Sequence, residues 1–176
     1  MPPTIIGIDP GEHTGISVYS EANKSWTVYE MEFKKDNLRL VWDAARLFLD
    51  KYSYGSCCDF HLVVEAQFMQ HNPAVLIWLA QSRAAWECAT WQRGGESTIV
   101  FPSTSQEHHH IFKTPKKDKI EKFIEIASGI TGLARAVFSP DTAAATLMAK
   151  WYLETGGMGR RDLDIQRRKA ADENRD

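Results

Sequence analysis

Three acids stand where a carboxylate could act on a substrate. Asp9 ends the run Thr4-Ile5-Ile6-Gly7-Ile8, Glu65 ends Phe60-His61-Leu62-Val63-Val64, and Asp141 follows Ser139-Pro140 at the head of DTAAATLMAKWYLE. Carboxylates brought close repel one another unless protons or cations lie among them, and hard Mg2+ takes oxygen ligands of this kind. Paired cations roughly 4 Å apart can activate a water and stabilise the leaving oxygen of a phosphodiester. The set therefore points to metal-assisted hydrolysis, if the chain gathers it. Two other readings of Asp9 compete. It could only cap the turn at Pro10-Gly11. As part of a phosphate cradle it fails, because GEHTG lacks the Gly-Lys-Ser/Thr ending of a P-loop and no helical pattern follows.

The elements that must position these acids can be read from periodicity. Thr4 to Ile8 is β-branched and has no helical period, so it reads as a buried strand that ends in Asp9. Gly15 to Tyr19 alternates as an antiparallel return, and Ser25 to Tyr29 as a third strand. Asn37 to Tyr52 carries Leu38, Val41, Trp42, Ala45 and Leu49 in helical rhythm, with Asp36 as its expected N-cap. Phe60 to Val64 is nearly continuous in apolar residues, as a buried parallel strand is, and ends in Glu65. A long helix follows from Asn72 to Trp91, capped by Asn72, with Pro73 in its first turn and Gly94-Gly95 behind it. Ser97 to Phe101 makes a fifth strand, Lys119 to Ser128 a helix, and Ser139 or Pro140 starts the last one. The expected class is α/β, a mixed sheet of five strands, three antiparallel and then parallel, flanked by helices. Open sheets of this kind place ligand sites beyond their strand C-termini, where Asp9 and Glu65 lie.

Length and composition bound the rest. A chain of 176 residues, 43% hydrophobic and 25% charged, is one domain's worth of soluble globular protein. Residues 1–155 are expected to form that domain and 156–176 a charged tail with little to bury. No leader and no apolar run of about 18 residues is present, so a cytoplasmic protein without membrane contact is expected. Cys57, Cys58 and Cys88 lack zinc-site spacing and read as reduced thiols. The net charge of -2 carries no global sign of a polyanion partner. Locally, Lys113, Lys116, Lys117, Lys119 and Lys122 form a basic run, which by itself reads as a solvated helix face. His108, His109 and His110 are adjacent and so cannot share one face of a helix or strand as a metal cluster.

Three stretches, IIGIDPGEHTGISVY, HLVVEAQFM with the helix after it, and PDTAAATLMA, resemble in order and spacing the RuvC-type Holliday junction resolvases of the RNase H-like superfamily. The resemblance covers about residues 4 to 155. It implies that Asp9, Glu65 and Asp141 are catalytic and bind two Mg2+ or Mn2+ ions. It implies further that Phe68 meets junction bases, and that Lys113, Lys116, Lys117 and Lys119 lie in a segment touching DNA phosphates. The helix from Asn72 to Trp91, whose Val75, Leu76, Trp78 and Leu79 exceed what one sheet contact needs, would then form a homodimer. The chain departs from the family in one respect that bears on the metals. The family carries a second acid or a histidine one helical turn from the helix aspartate, where this chain has Phe138 and Ala144. The segment QEHHHIF also replaces a stretch in which the family often offers a lysine.

The function implied is a metal-dependent, structure-selective endodeoxyribonuclease that nicks Holliday junctions or other branched DNA. A non-cleaving protein that binds branched nucleic acid on the same fold is the alternative, as is a nuclease for flap or fork DNA or for RNA. Sugar kinases and ATPases with an Ile-Asp-x-Gly strand turn need two such domains around a nucleotide, and this chain has room for one.

Overall fold

The computed structural model describes residues 4–35, 37–54, 57–58, 60–66 and 72–157. Three antiparallel strands come first: β1 (Thr4–Asp9), β2 (His13–Ser20) and β3 (Ser25–Glu32). Helix α1 (Leu38–Asp50) crosses to a small ladder, β4 (Ser53–Tyr54) with β5 (Cys57–Cys58), and to β6 (Phe60–Glu65). Then follow α2 (Pro73–Trp91), β7 (Glu96–Val100), α3 (Pro102–His108), α4 (Lys116–Thr131), a 3-10 turn (Arg135–Val137) and α5 (Pro140–Thr155). The main sheet has the order β3-β2-β1-β6-β7, with β1 parallel to β6 and β6 parallel to β7. This is the mixed five-stranded sheet expected from the sequence.

The two faces of the sheet are covered differently. On one side α1 and α2 bury Phe48, Leu49, Trp78 and Trp86 against Ile6, Ile8, Ile16 and Leu62. On the other, α5 lays Ala145, Met148, Ala149 and Trp151 on Ile5, Val63 and Val100. The α5 contact is close enough to require glycine beneath it. A Cβ at Gly7 would lie 2.1 Å from the carbonyl oxygen of Ala145, inside any tolerable contact. Farther over, α4 reaches Ala143 with Ala127, Phe123 and Ile124, and Val28 of β3 joins that cluster. Among the described residues, no helix is long and apolar enough to cross a membrane.

Several expectations shift in detail. The N-cap of α1 is Asn37, whose side chain accepts from the Leu40 amide at 3.1 Å; Asp36 lies outside the described residues. Helix α4 begins at Lys116 and runs through Gly129 to Thr131, where Gly132 ends it in a left-handed conformation. The polar segment from Pro102 opens with α3, which at 7 residues is too short to show a helical period. Trp78 and Leu79, assigned to a dimer face, pack into the core beneath α2 instead. Because α2 lies over the sheet and against α1 at once, it buries a broader arc than a single contact would. The charged tail lies outside the described residues apart from Gly156 and Gly157.

Candidate active site

Sheet register brings the first two acids together. Ile8 of β1 is level with Val64 of β6, so the next residues, Asp9 and Glu65, leave the strand ends side by side. Behind Asp9 the chain turns tightly. The Gly11 amide donates to Thr14 Oγ1 at 3.2 Å, and that hydroxyl donates to the Gly11 carbonyl at 3.0 Å. This turn brings Gly15 level with Asp9 on β2. Asp141 then arrives from above. A Cβ at Gly15 would sit 2.1 Å from the Asp141 carbonyl carbon, so the first turn of α5 rests directly on the β2 backbone. Only glycine allows that approach, which explains its place in the opening motif.

The start of α5 is itself fixed. Ser139 and Thr142 form a capping box, with the Thr142 amide donating to Ser139 Oγ at 3.3 Å and the Ser139 amide to Thr142 Oγ1 at 2.8 Å. One turn later, Thr146 Oγ1 donates to Ser17 Oγ on β2 at 2.9 Å, a buried contact spanning 129 residues of sequence. Asp141 therefore projects from a helix end locked at both its cap and its base.

The electrostatics follow from this crowding. Burial first, then the charges of Glu65 and Asp141, hold Asp9 well above the usual carboxylate range. Burial also pushes Glu65 up to about 7, with Asp141 adding to the effect and the hydrogen bond with Asp9 opposing it. Asp9 and Glu65 share a hydrogen bond, so the pair retains a proton to higher pH than either carboxylate would alone. Asp141 is raised by burial and by the charge of Glu30, against a downward pull from His13. Like charges are thus held together at the expense of proton release, which is the condition a divalent cation relieves.

The donor set fits hard divalent cations, being all carboxylate oxygen. Among the described residues, no three His, Cys, Asp or Glu side chains converge closely enough to cage one ion.

The other expected residues fall elsewhere. Lys116 and Lys117 are exposed in the first turn of α4, and Lys119 Nζ donates to Gln106 Oε1 at 2.7 Å. Lys113 lines a cavity of about 380 Å3 with Glu107, His110 and Phe112. His108 meets Glu154 in the last turn of α5, so this region flanks the far end of that helix, roughly 20 Å along its axis from Asp141. The lysines are not brought to the acids. Of the three histidines, His108 pairs with Glu154 and meets the His109 ring edge to face at 4.9 Å, His109 reaches the Leu147 carbonyl, and His110 takes a left-handed φ of 59°. Phe68 lies outside the described residues. Nothing local in the chain marks His13 and Glu30 as neighbours of Asp141, because only the β2–β3 register places them there.

No family model matches the chain, and no curated protein matches it. Solved structures do. RuvC of Thermus thermophilus in complex with a Holliday junction substrate superposes with a TM-score of 0.68 at 17% identity, over 89% of this chain and 98% of that one. A second Thermus thermophilus RuvC structure gives 0.67 at 17% identity over the same shares. The yeast mitochondrial Holliday junction resolvase Ydc2 gives 0.54 at 10% identity, over 86% of this chain and 79% of that one. In strand order, helix placement and extent, the chain has the RNase H-like fold of the RuvC-type resolvases.

Proposed function

We propose that the protein is a metal-dependent endonuclease that nicks Holliday junctions or closely related branched DNA, with Asp9, Glu65 and Asp141 as its catalytic acids. The observation that carries this reading is the meeting of those acids, from β1, β6 and α5, at one end of the sheet with their proton release opposed. The fold is shared with two proteins described as Holliday junction resolvases or bound to such a junction. Divalent cations, when bound, would supply the charge that activates water and stabilises the leaving oxygen.

The chain's own part is to hold and orient. Asp9 and Glu65 hold a proton between them, which must leave before they bind a cation. Asp141 is kept on station by the capping box and by Gly15. Lys113, Lys116 and Lys117, in and beside the first turn of α4, would contact DNA phosphates, setting the DNA's course rather than its chemistry. A homodimer would present two such sites to two strands. An apolar groove of about 470 Å3 between α1 and α2, lined by Leu38, Trp42, Ala84 and Cys88, lies on the helix assigned to that contact. Ile77 on α2 is exposed as well. The reaction would take place in the cytoplasm.

The test is cleavage of four-way, flap, fork and linear DNA and of RNA with Mg2+ or Mn2+, beside Asp9→Asn, Glu65→Gln and Asp141→Asn. Symmetric nicks in the four-way junction, lost in all three variants while binding persists, are expected. Binding without cutting by the wild-type chain would replace this reading with that of a junction-binding protein.

A further inference from the structure

Beside the C-terminal half of α5, the chain offers an aromatic ring to solvent from a rigid support. Helix α3 ends at His108, and the backbone then doubles back: the amides of Ile111 and Phe112 both donate to the Gln106 carbonyl, at 2.7 and 3.2 Å, and the Thr114 amide donates to the Ile111 carbonyl at 2.8 Å. Ile111 pins this turn. Its side chain is fully buried, while His109 reaches the Leu147 carbonyl at 2.8 Å and Lys119 Nζ donates to the Gln106 side chain at 2.7 Å. Between those anchors His110 keeps a left-handed φ of 59°, a conformation that a residue with a Cβ holds only where its surroundings impose it.

The turn holds Phe112 out with half of its surface exposed. One exposed Phe is ordinary on a protein surface. Here, however, the ring lines a cavity of about 380 Å3 with Glu107, His110 and Lys113, within the roughly 300–1,000 Å3 of pockets that take small molecules. Its wall combines two flat rings, a cation and a carboxylate, all of them exposed. An unpaired nucleotide answers each of these. The base has a free face for Phe112, the phosphate an anion for Lys113, and the amino group on a cytosine's edge a donor for Glu107. A base within a duplex cannot enter, because its neighbours cover both of its faces. Thymine can stack but has no amino group to give to a carboxylate.

We propose that this cavity is a subsite for one unpaired nucleotide of the substrate, in which Phe112 stacks on the base, Lys113 contacts its phosphate and Glu107 selects bases that carry an exocyclic amino group. The assignment rests on the nuclease reading above and gives that reading a means of telling branched DNA, which can present an unpaired base, from linear duplex, which does not. The subsite lies roughly 20 Å along α5 from Asp141, so it acts on binding and not on the chemistry.

Fluorescence anisotropy of the full chain with labelled hexamers of deoxycytidylate and of deoxythymidylate, in EDTA so that nothing is cut, tests this. Wild type should bind the cytosine hexamer about 5–10-fold more tightly than the thymine hexamer, and Glu107→Gln should remove that preference. Phe112→Ala should weaken both hexamers about 10-fold with an unchanged salt slope, whereas Lys113→Gln should flatten the slope by about 0.7. Melting temperatures should not move, because all three side chains are exposed. Phe112→Ala with both affinities within about two-fold of wild type, or a wild type that binds neither hexamer, would overturn the subsite. Equal binding of the two hexamers by wild type would overturn the role of Glu107. Free deoxycytidine monophosphate should compete only at concentrations far above the hexamer's Kd; competition at that Kd would overturn the assignment to a DNA strand. Cutting of a four-way junction with Mg2+ is scored in parallel. If the junction is cut while Phe112→Ala binds normally, only the subsite falls; if wild type neither cuts the junction nor binds the hexamers, the nuclease reading falls with it.

Discussion

The two faces of the sheet are packed by opposite means. Beneath α1 and α2, the contact is made by bulk: Trp86 is fully buried with its ring 5.9 Å from Phe48, edge to face, and Trp78, Leu49 and Val41 fill the space around them. Beneath the first half of α5, it is made by absence of bulk, with Gly7 and Gly15 under the helix backbone and Ala143, Ala145 and Ala149 along it, while Met148 and Trp151 add bulk only toward its C-terminal half. Large side chains give an interface much apolar area and some freedom to repack. Backbone resting on glycine gives less area but almost no freedom of position. Asp9, Glu65 and Asp141, the proposed catalytic acids, are on the second kind of face. Where a carboxylate must be held in place, this fold uses close approach, and it leaves bulk stabilisation to the face that does no chemistry.

That contrast can be broken by experiment. The largest loss of stability is expected on the bulky face, where Trp86→Ala should cost about 3–5 kcal/mol in chemical denaturation. Cutting rate per folded molecule should survive, measured at low temperature, and a rate that collapses with stability would show that the faces are not separable. Next is the pH response of the ion-free chain. Glu65 is raised from 4.5 to about 7, so the folded state holds a proton that the unfolded state has released between those values. The contribution of Glu65 to stability therefore falls as pH rises from 4.5 to about 7, by roughly 3 kcal/mol, and the raised Asp9 and Asp141 act in the same direction. The fall in melting temperature across this range should be less steep in Glu65→Gln and with Mg2+ present.

On the close-packed face, Gly15→Ala should cost less stability, about 1–3 kcal/mol, because the added methyl forces α5 away from β2. Cutting should nevertheless fall on the order of 100-fold, since a displacement of about 1 Å moves Asp141 out of register with its partners. An active Gly15→Ala enzyme would mean that α5 can yield, contrary to the comparison. The smallest effect belongs to the far end of α5. Replacing Lys116 and Lys117 by Gln should leave melting unchanged and flatten the slope of log affinity against log salt by about one unit for each phosphate no longer neutralised.

Much of this was legible in the chain. Strand-ending acids after β-branched runs marked Asp9 and Glu65, and a Ser-Pro-Asp helix start marked Asp141, because burial and capping leave local signatures. Three features escaped for physical reasons. Glu30 is two strands away from Asp9, and nothing local encodes how β2 and β3 pair beyond the turn that joins them. Helix α3 is shorter than the period needed to detect it. The burial of Trp78 and Leu79 depends on α2 meeting α1 as well as the sheet, and a single helix's pattern does not specify how many neighbours it has.

Because Asp141 rides on α5, the order in which the chain is made bears on when the candidate site becomes complete. The β1–β2–β3 meander closes through short turns, and domains form from the N-terminus while synthesis continues. The sheet with Asp9 and then Glu65 can therefore assemble early, yet the contact from Thr146 to Ser17 must wait until 129 further residues have been added. A half-made chain carries one pair of acids and no helix to bring the rest. On the proposed reading, the site is incomplete throughout synthesis of the first 140 residues.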